Sequence, residues 1–322
     1  MPNWRPPGWA RSIPNALPPR STSSWRPISC RARRMRRKSI PMPSCPPRMT
    51  GSTACSDRMD LNLRNKVAVI TGPAKGMGAA ITLGFAREGA MLALLGRDTA
   101  AIEPVCAEAR EIGVEAEIFA CDVTDACRVE TVVSSITRRF GGQIDILVNV
   151  AGGTGPIGKT GVETTPEEFD EIVTLNMQGP FNLIRAVAPV MRAGGGGKIV
   201  NVGGTFGMRG RAMRLAYSSS KWGLRGITKS FALELGPDNI TVNLVAPGMV
   251  DGPRFRDKVV PQVAAQHGIS AEEAAAKHAS DYALGRISTD EDIADATLFL
   301  ASDRARQITG VDLPVDGGWA SL

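Results

Sequence analysis

From Lys66 onward the chain alternates short aliphatic, β-branched runs with longer helical stretches, and this rhythm limits the fold more than any other feature. "KVAVIT", "AMLALLG", "EAEIFACDV", "IDILVNV", "GKIVNVG", "ITVNLVAPG" and "VDLPVDGG" predict seven strands. Between them, "GMGAAITLGFAREG", Thr99 to Ile112, Thr124 to Phe140, Thr165 to Arg192 and Leu215 to Leu235 predict helices. Strands that are apolar nearly throughout must be buried on both faces. Strands separated by helices are therefore expected to lie parallel, in an α/β fold with helices covering both sides of one sheet. No repeat interrupts this pattern.

Two segments stand outside it. Residues 1–58 hold 11 Arg and 1 Lys against the single acid Asp57, with 11 of the 22 prolines and three of the five tryptophans. A stretch this rich in Arg, Pro and Ser, without hydrophobic periodicity, is not expected to bury enough surface to fold alone. An upstream translation start, a targeting segment and a disordered tail all fit it. Met59 then opens "MDLNLRNKVAVITG", the expected start of a domain running to residue 322. The whole chain carries +6, so residues 59–322 carry about −5, and the basic pI says nothing of nucleic acid. The second segment lies between Gly248 and Ile287. It reads as two short helices hinged at Gly268, placed after the sixth strand where ligands bind, and is either a small helical lid or extra packing.

Between the first strand and first helix, "VITGPAKGMG" sets Gly72, Gly76 and Gly78 in a loop with Lys75 and Met77. Such glycines allow a tight turn and a close approach to a dinucleotide pyrophosphate at a helix N-terminus. After the second strand, where an acid would bind the ribose of NAD, the chain has Gly96 followed by Arg97. Arg97 and Lys75 suit the 2′-phosphate of NADP(H), whereas the nearby Asp98 keeps NAD(H) possible. Tyr217 and Lys221 stand four apart on a predicted helix and so share a face. A lysine ammonium beside a phenol is expected to lower its pKa toward working pH.

With "CDVTD", "NVAGG", "LNMQGPFN", "YSSSK", "VAPG" and "FLASDRARQITGVDLPVDGG" in the same order, the body from Leu61 to Trp319 resembles the classical short-chain dehydrogenase/reductase family. The resemblance implies a single Rossmann-like, doubly wound, seven-stranded parallel sheet, and an NAD(P)-dependent oxidoreductase that is a homotetramer or dimer. It implies that Tyr217 is the general acid/base, and that Lys221 holds the nicotinamide ribose. Asn176 would anchor a water behind the lysine, and Asp122 and Val123 would contact the adenine. Asn149, Ala151 and Gly152 would line the cofactor cleft, with Pro247, Gly248 and Val250 at the nicotinamide.

Three positions depart from the family pattern. Val150 replaces a second Asn, and Gly252 replaces a threonine that commonly holds the carboxamide. Gly204 stands thirteen residues before Tyr217, where the catalytic serine is expected. Losing such a donor costs on the order of 10²–10³ in rate. Thr205 is the nearest hydroxyl. It faces the other way on a strict strand, but Gly203 and Gly204 free the backbone before it.

Arg209, Arg211, Arg214, Arg254 and Arg256 should border the substrate mouth. They suit an anionic substrate, or equally solvation and subunit pairing. The expected reaction interconverts a small-molecule carbonyl and a secondary alcohol with NADP(H). The alternatives are an NAD-linked dehydrogenase of a diol or hydroxy acid, and a non-catalytic NADP(H)-binding protein. Cys106, Cys121 and Cys127 form no ligand pattern, His267 and His278 lack a third ligand, and no apolar run spans a membrane. A cytoplasmic, metal-free protein without nucleic-acid or membrane partners is therefore expected.

Overall fold

The computed structural model describes residues 60–321. The extension 1–58 and the proposed start at Met59 lie outside them. The strands are β1 (Val67–Thr71), β2 (Met91–Gly96), β3 (Ala116–Ala120), β4 (Ile146–Asn149), β5 (Gly197–Val202), β6 (Ile240–Pro247) and β7 (Asp312–Val315). They form one sheet in the order β3-β2-β1-β4-β5-β6-β7, and each neighbouring pair is parallel. Strand order reverses between β1 and β4, which opens a crevice at the carboxyl ends of the strands.

The helices are α1 (Met77–Arg87), α2 (Thr99–Ile112), α3 (Ala126–Arg139), α4 (Pro166–Val173), α5 (Gly179–Ala193), α6 (Leu215–Leu235), α7 (Val260–His267), α8 (Ala271–Ala279) and α9 (Asp290–Ala301). Successive side chains of a strand point to opposite faces, so β1 feeds two cores. Ala68 and Ile70 pack with Phe85 of α1, Ile102 of α2 and Leu298 of α9. Val67 and Val69 pack with Val132 of α3, Leu183 of α5 and Leu235 of α6. Every residue of β1, β4 and β6 is buried. At about 1.5–3 kcal/mol for each large apolar side chain, these two layers dominate the stabilisation of the sheet.

Two elements differ from the sequence reading. The helix expected from Thr165 to Arg192 is interrupted by a π turn, Thr174–Gln178, whose widened ring closes through Gly179 N–H to Thr174 O. Pro180, at the start of α5, has no N–H to continue an ordinary ladder. Helix α9 was not expected, although its signal is in the sequence. Thr289 caps it, and Thr289 and Asp292 exchange side-chain-to-backbone hydrogen bonds in a capping box.

The segment after β6 does form two short helices, α7 and α8, separated by Gly268 at φ 64°. Phe255, Val260 and Ala274 give it a small core of its own. Val250 and Ser288 close its base with a parallel bridge. Among the described residues, no helix is long and apolar enough to cross a membrane. Nor is there a cluster of three or more His, Cys, Asp or Glu that could hold a metal.

Candidate active site

The glycine loop and the end of β4 are built against each other. Gly72 takes φ 64° and donates to Leu95 O at 3.0 Å. A Cβ added there would stand 3.0 Å from the backbone N and Cα of Ala151, and one on Gly78 would stand 2.1 Å from Gly72 O. Neither position tolerates a side chain. Thr71, the last residue of β1, accepts the N–H groups of Val150 at 3.0 Å and Ala151 at 2.9 Å. This residue fixes the cleft wall and escaped the sequence reading, although a hydroxyl at the strand end beside Gly72 was the available signal. Helix α1 begins with no side-chain cap and no acid in its first turn. Its partial positive charge therefore stays available to an anion, as a pyrophosphate cradle requires.

The segment after β3 is equally ordered. Asp122 accepts from Thr124 N at 2.9 Å and Thr124 Oγ1 at 2.7 Å. Those bonds, and the charge of Arg97, hold its carboxyl below the ordinary range. Asn182, a further residue missed from the sequence, donates to Val123 O at 3.0 Å. Arg97 and Lys75 are exposed at the rim. Asp98 is turned to capping α2, where it accepts Ala101 N–H at 3.1 Å. Deeper in, Asn149 donates to Asn201 Oδ1 at 2.9 Å, and Asn201 donates to Thr228 Oγ1 at 2.9 Å. Asn149 Oδ1 is buried without a partner. At the far wall, Gly248 packs against Asp316, leaving room for no side chain, and Pro247 ends β6. These features suit a dinucleotide lying across the strand ends.

Tyr217 and Lys221 stand one turn apart on α6. The Lys221 amine, buried, donates to Val202 O at 3.1 Å and lies 5.7 Å from the Tyr217 ring centroid. Burial lowers it to about 8. Asn176 sits in the π turn, which carries its side chain to Gly153 and α6. Its Oδ1 accepts Gly153 N–H at 2.8 Å, and its Nδ2 donates to Gly153 O at 3.1 Å and Ser220 Oγ at 2.9 Å. Ser220 in turn donates to Tyr217 O at 2.8 Å. A Cβ on Gly152 would come within 2.9 Å of Asn176 Oδ1 and 3.6 Å of Lys221 Nζ. The loop after β4, the π turn and α6 thus meet at the lysine.

Gly204 occupies the expected serine position: a Cβ built there stands 3.0 Å from Tyr217 Oη. Thr205 is buried at the start of a 3-10 turn, and its carbonyl accepts from Met208 and Arg209 N–H. The expected lowering of the Tyr217 pKa by Lys221 is not what the geometry gives. Desolvation dominates and raises the phenol, while Arg254 and then Arg214 pull it back. Lys221 gives one of its N–H donors to the strand carbonyl, and two guanidinium groups join it in acting on the ring.

The five arginines separate, with Arg254 exposed before Phe255. Arg256 pairs with Asp251 at 2.8 Å, Arg209 lies over Trp319 and Arg211 over Phe206. Arg214 is buried with its guanidinium carbon 4.9 Å from the Tyr217 ring centroid.

Residues 72–320 match the family model described as enoyl-(acyl carrier protein) reductase. A 3α-hydroxysteroid dehydrogenase of Mediterraneibacter gnavus is 37% identical, over 80% of this chain and 98% of its own. A galactitol 2-dehydrogenase of Agrobacterium fabrum is 37% identical, over 81% of this chain and 100% of its own. Among solved structures, an NAD+-bound xylitol dehydrogenase superposes with a TM-score of 0.74 at 33% identity, covering 80% of this chain and 100% of that one.

Proposed function

Because the chain belongs to the classical short-chain dehydrogenase/reductase family, whose members act on alcohols and carbonyls with NAD(P)(H), we propose that it is an NADP(H)-preferring carbonyl reductase. The observation that carries the reading is the placement of Tyr217. Its hydroxyl faces position 204 at the carboxyl end of β5, with Lys221 one turn away and the glycine loop across the crevice.

The dinucleotide would be held by Gly72, Gly76, Met77 and Gly78 at the pyrophosphate, and by Asp122, Val123 and Arg97 at the adenosine end. Asn149, Ala151 and Gly152 line the middle, with Lys221, Pro247, Gly248 and Val250 toward the nicotinamide. When bound, the nicotinamide supplies or accepts the hydride. Tyr217 gives its proton to the substrate oxygen in reduction and takes it back in oxidation. Burial disfavours the phenolate, and Arg254 and then Arg214 offset it. Lys221, lowered to about 8, can return a proton to the tyrosine near neutrality. Thr205 is proposed to assist in steadying the substrate oxygen where Gly204 leaves no hydroxyl.

The preference for NADP(H) is supported by Arg97 and Lys75 at the rim and by Asp98 being used as a helix cap. An NAD-linked reading draws on the NAD+-bound xylitol dehydrogenase and the galactitol enzyme among the relatives. Comparing NADPH and NADH affinity, with Arg97→Ala beside the wild type, separates the two. Loss of affinity for NADPH alone supports the first, and unchanged preference for NADH the second. A homo-oligomer, dimer or tetramer, working in the cytoplasm completes the proposal.

A further inference from the structure

We propose that Arg214 binds an oxyanion on the substrate, a carboxylate being the simplest; this rests on the carbonyl-reduction reading above. Arg214 is 7% exposed, and its Nε and both terminal nitrogens are enclosed without a hydrogen-bond partner. A guanidinium does not escape its charge by deprotonating, and it carries five N–H donors in a fixed fork. Buried charges in proteins are ordinarily paired. Arg214 forms no ion pair among the described residues, and its charged neighbours Arg254 and Arg211 add to the positive potential.

Other arginines nearby show what a satisfied one looks like. Arg225 donates to Asp312 at 3.0 Å and to Gly207 O at 2.7 Å, and Arg256 holds Asp251 with two bonds. The missing acceptor for Arg214 is therefore assigned to a ligand. The chain enters Arg214 through Met213 at φ 58°, an uncommon conformation for a residue with a side chain and one that clusters at functional sites.

Position decides which ligand. Arg214 precedes α6 and lies over the ring of Tyr217, so an oxyanion on its fork would lie close to that ring. That location belongs to the substrate, because the pyrophosphate end of the crevice is at α1. The segment that leads into α7 begins nearby in the chain's course after β6, with Arg254 exposed on it. The favoured substrate is thus an oxo acid whose charged group lies a few bonds from its carbonyl.

The test uses the full chain with NADPH and a panel of oxo acids, beginning with 4-oxopentanoate, each paired with its neutral methyl ester. The readouts are kcat/KM and the melting temperature of the NADPH-loaded protein, for the wild type, Arg214→Gln and Arg254→Gln. The wild type is expected to prefer at least one acid over its ester by on the order of 30-fold, and Arg214→Gln to lose that preference. Glutamine removes an unpaired buried charge, so without ligand this variant should melt no lower than the wild type.

Equal turnover of acids and esters in the wild type would overturn the proposal. So would an acid preference that survives Arg214→Gln, or equal losses for acid and ester, which would leave the guanidinium only a partner of the tyrosine ring. If no pair turns over, the melting data decide. Stabilisation by acids that depends on Arg214 upholds the anion site and counts against the reductase reading, and its absence counts against both.

Discussion

Tyr217 meets a glycine where a second hydroxyl would help it, and the spacing there defines a restoration experiment. A serine Cβ at position 204 would lie 3.0 Å from Tyr217 Oη, a tight fit that a small shift of the ring relieves. Gly204 has φ 163° and ψ 150°, extended values that any residue adopts. Gly204→Ser is therefore expected to fold, and to raise kcat by about tenfold or more by adding a donor at the developing oxyanion. Steady-state kinetics check this, and an unchanged kcat would mean that another group already fills the role. Thr205→Val, measured alongside, is expected to lower kcat if that group is the threonine.

The pair Tyr217 and Lys221 was legible in the sequence because its spacing matches one helical turn. The electrostatics were not. Whether the lysine or the arginines act on the phenol depends on where Val202 O, Arg214 and Arg254 come to lie, and those contacts join residues far apart in the chain. The empty fork of Arg214 was hidden for the same reason.

At the scale of elements, the crevice depends on joints between strand ends and helix turns. Thr71 holds the N–H groups of Val150 and Ala151, so Thr71→Val leaves two donors unpaired beside the glycine loop. The expected cost is about 1–3 kcal/mol in urea unfolding, with a weaker grip on NADPH as the wall loosens. Asn176 is a similar joint, since its side chain ties the π turn to Gly153 and to Ser220. The seven strands were readable from their apolar runs, and the two short helices after β6 from their break in the rhythm and from Gly268. The π turn was not, because a helix and a helix with one widened turn share the same apolar periodicity. Helix α9 went unread although its capping box was there, because its apolar stripe is short.

For the whole molecule, buried charge sets a pH dependence. Lys221 sits near 8 in the folded protein against an ordinary 10.5. Below pH 8 both the folded and unfolded states carry the proton, and the full cost of burying it is present. Between about pH 8 and 10.5 the unfolded chain binds the proton that the folded one has lost, so stability rises with pH. Relative to Lys221→Met, the cofactor-free wild type is expected to gain roughly 3 kcal/mol of stability as pH rises across that window. Denaturant melts at several pH values check this, and a flat difference would mean that the amine is better solvated than its burial implies. The described body also carries both hydrophobic layers of the sheet. Deleting residues 1–58 is thus expected to leave the melting temperature and NADPH affinity unchanged.

The most direct test is NADPH oxidation by the purified protein against paired neutral and anionic carbonyls, with Tyr217→Phe run in parallel and NADPH binding measured on both. The account predicts carbonyl-dependent turnover that falls by about 10²-fold or more in the variant while NADPH affinity holds. Turnover that survives Tyr217→Phe would contradict it.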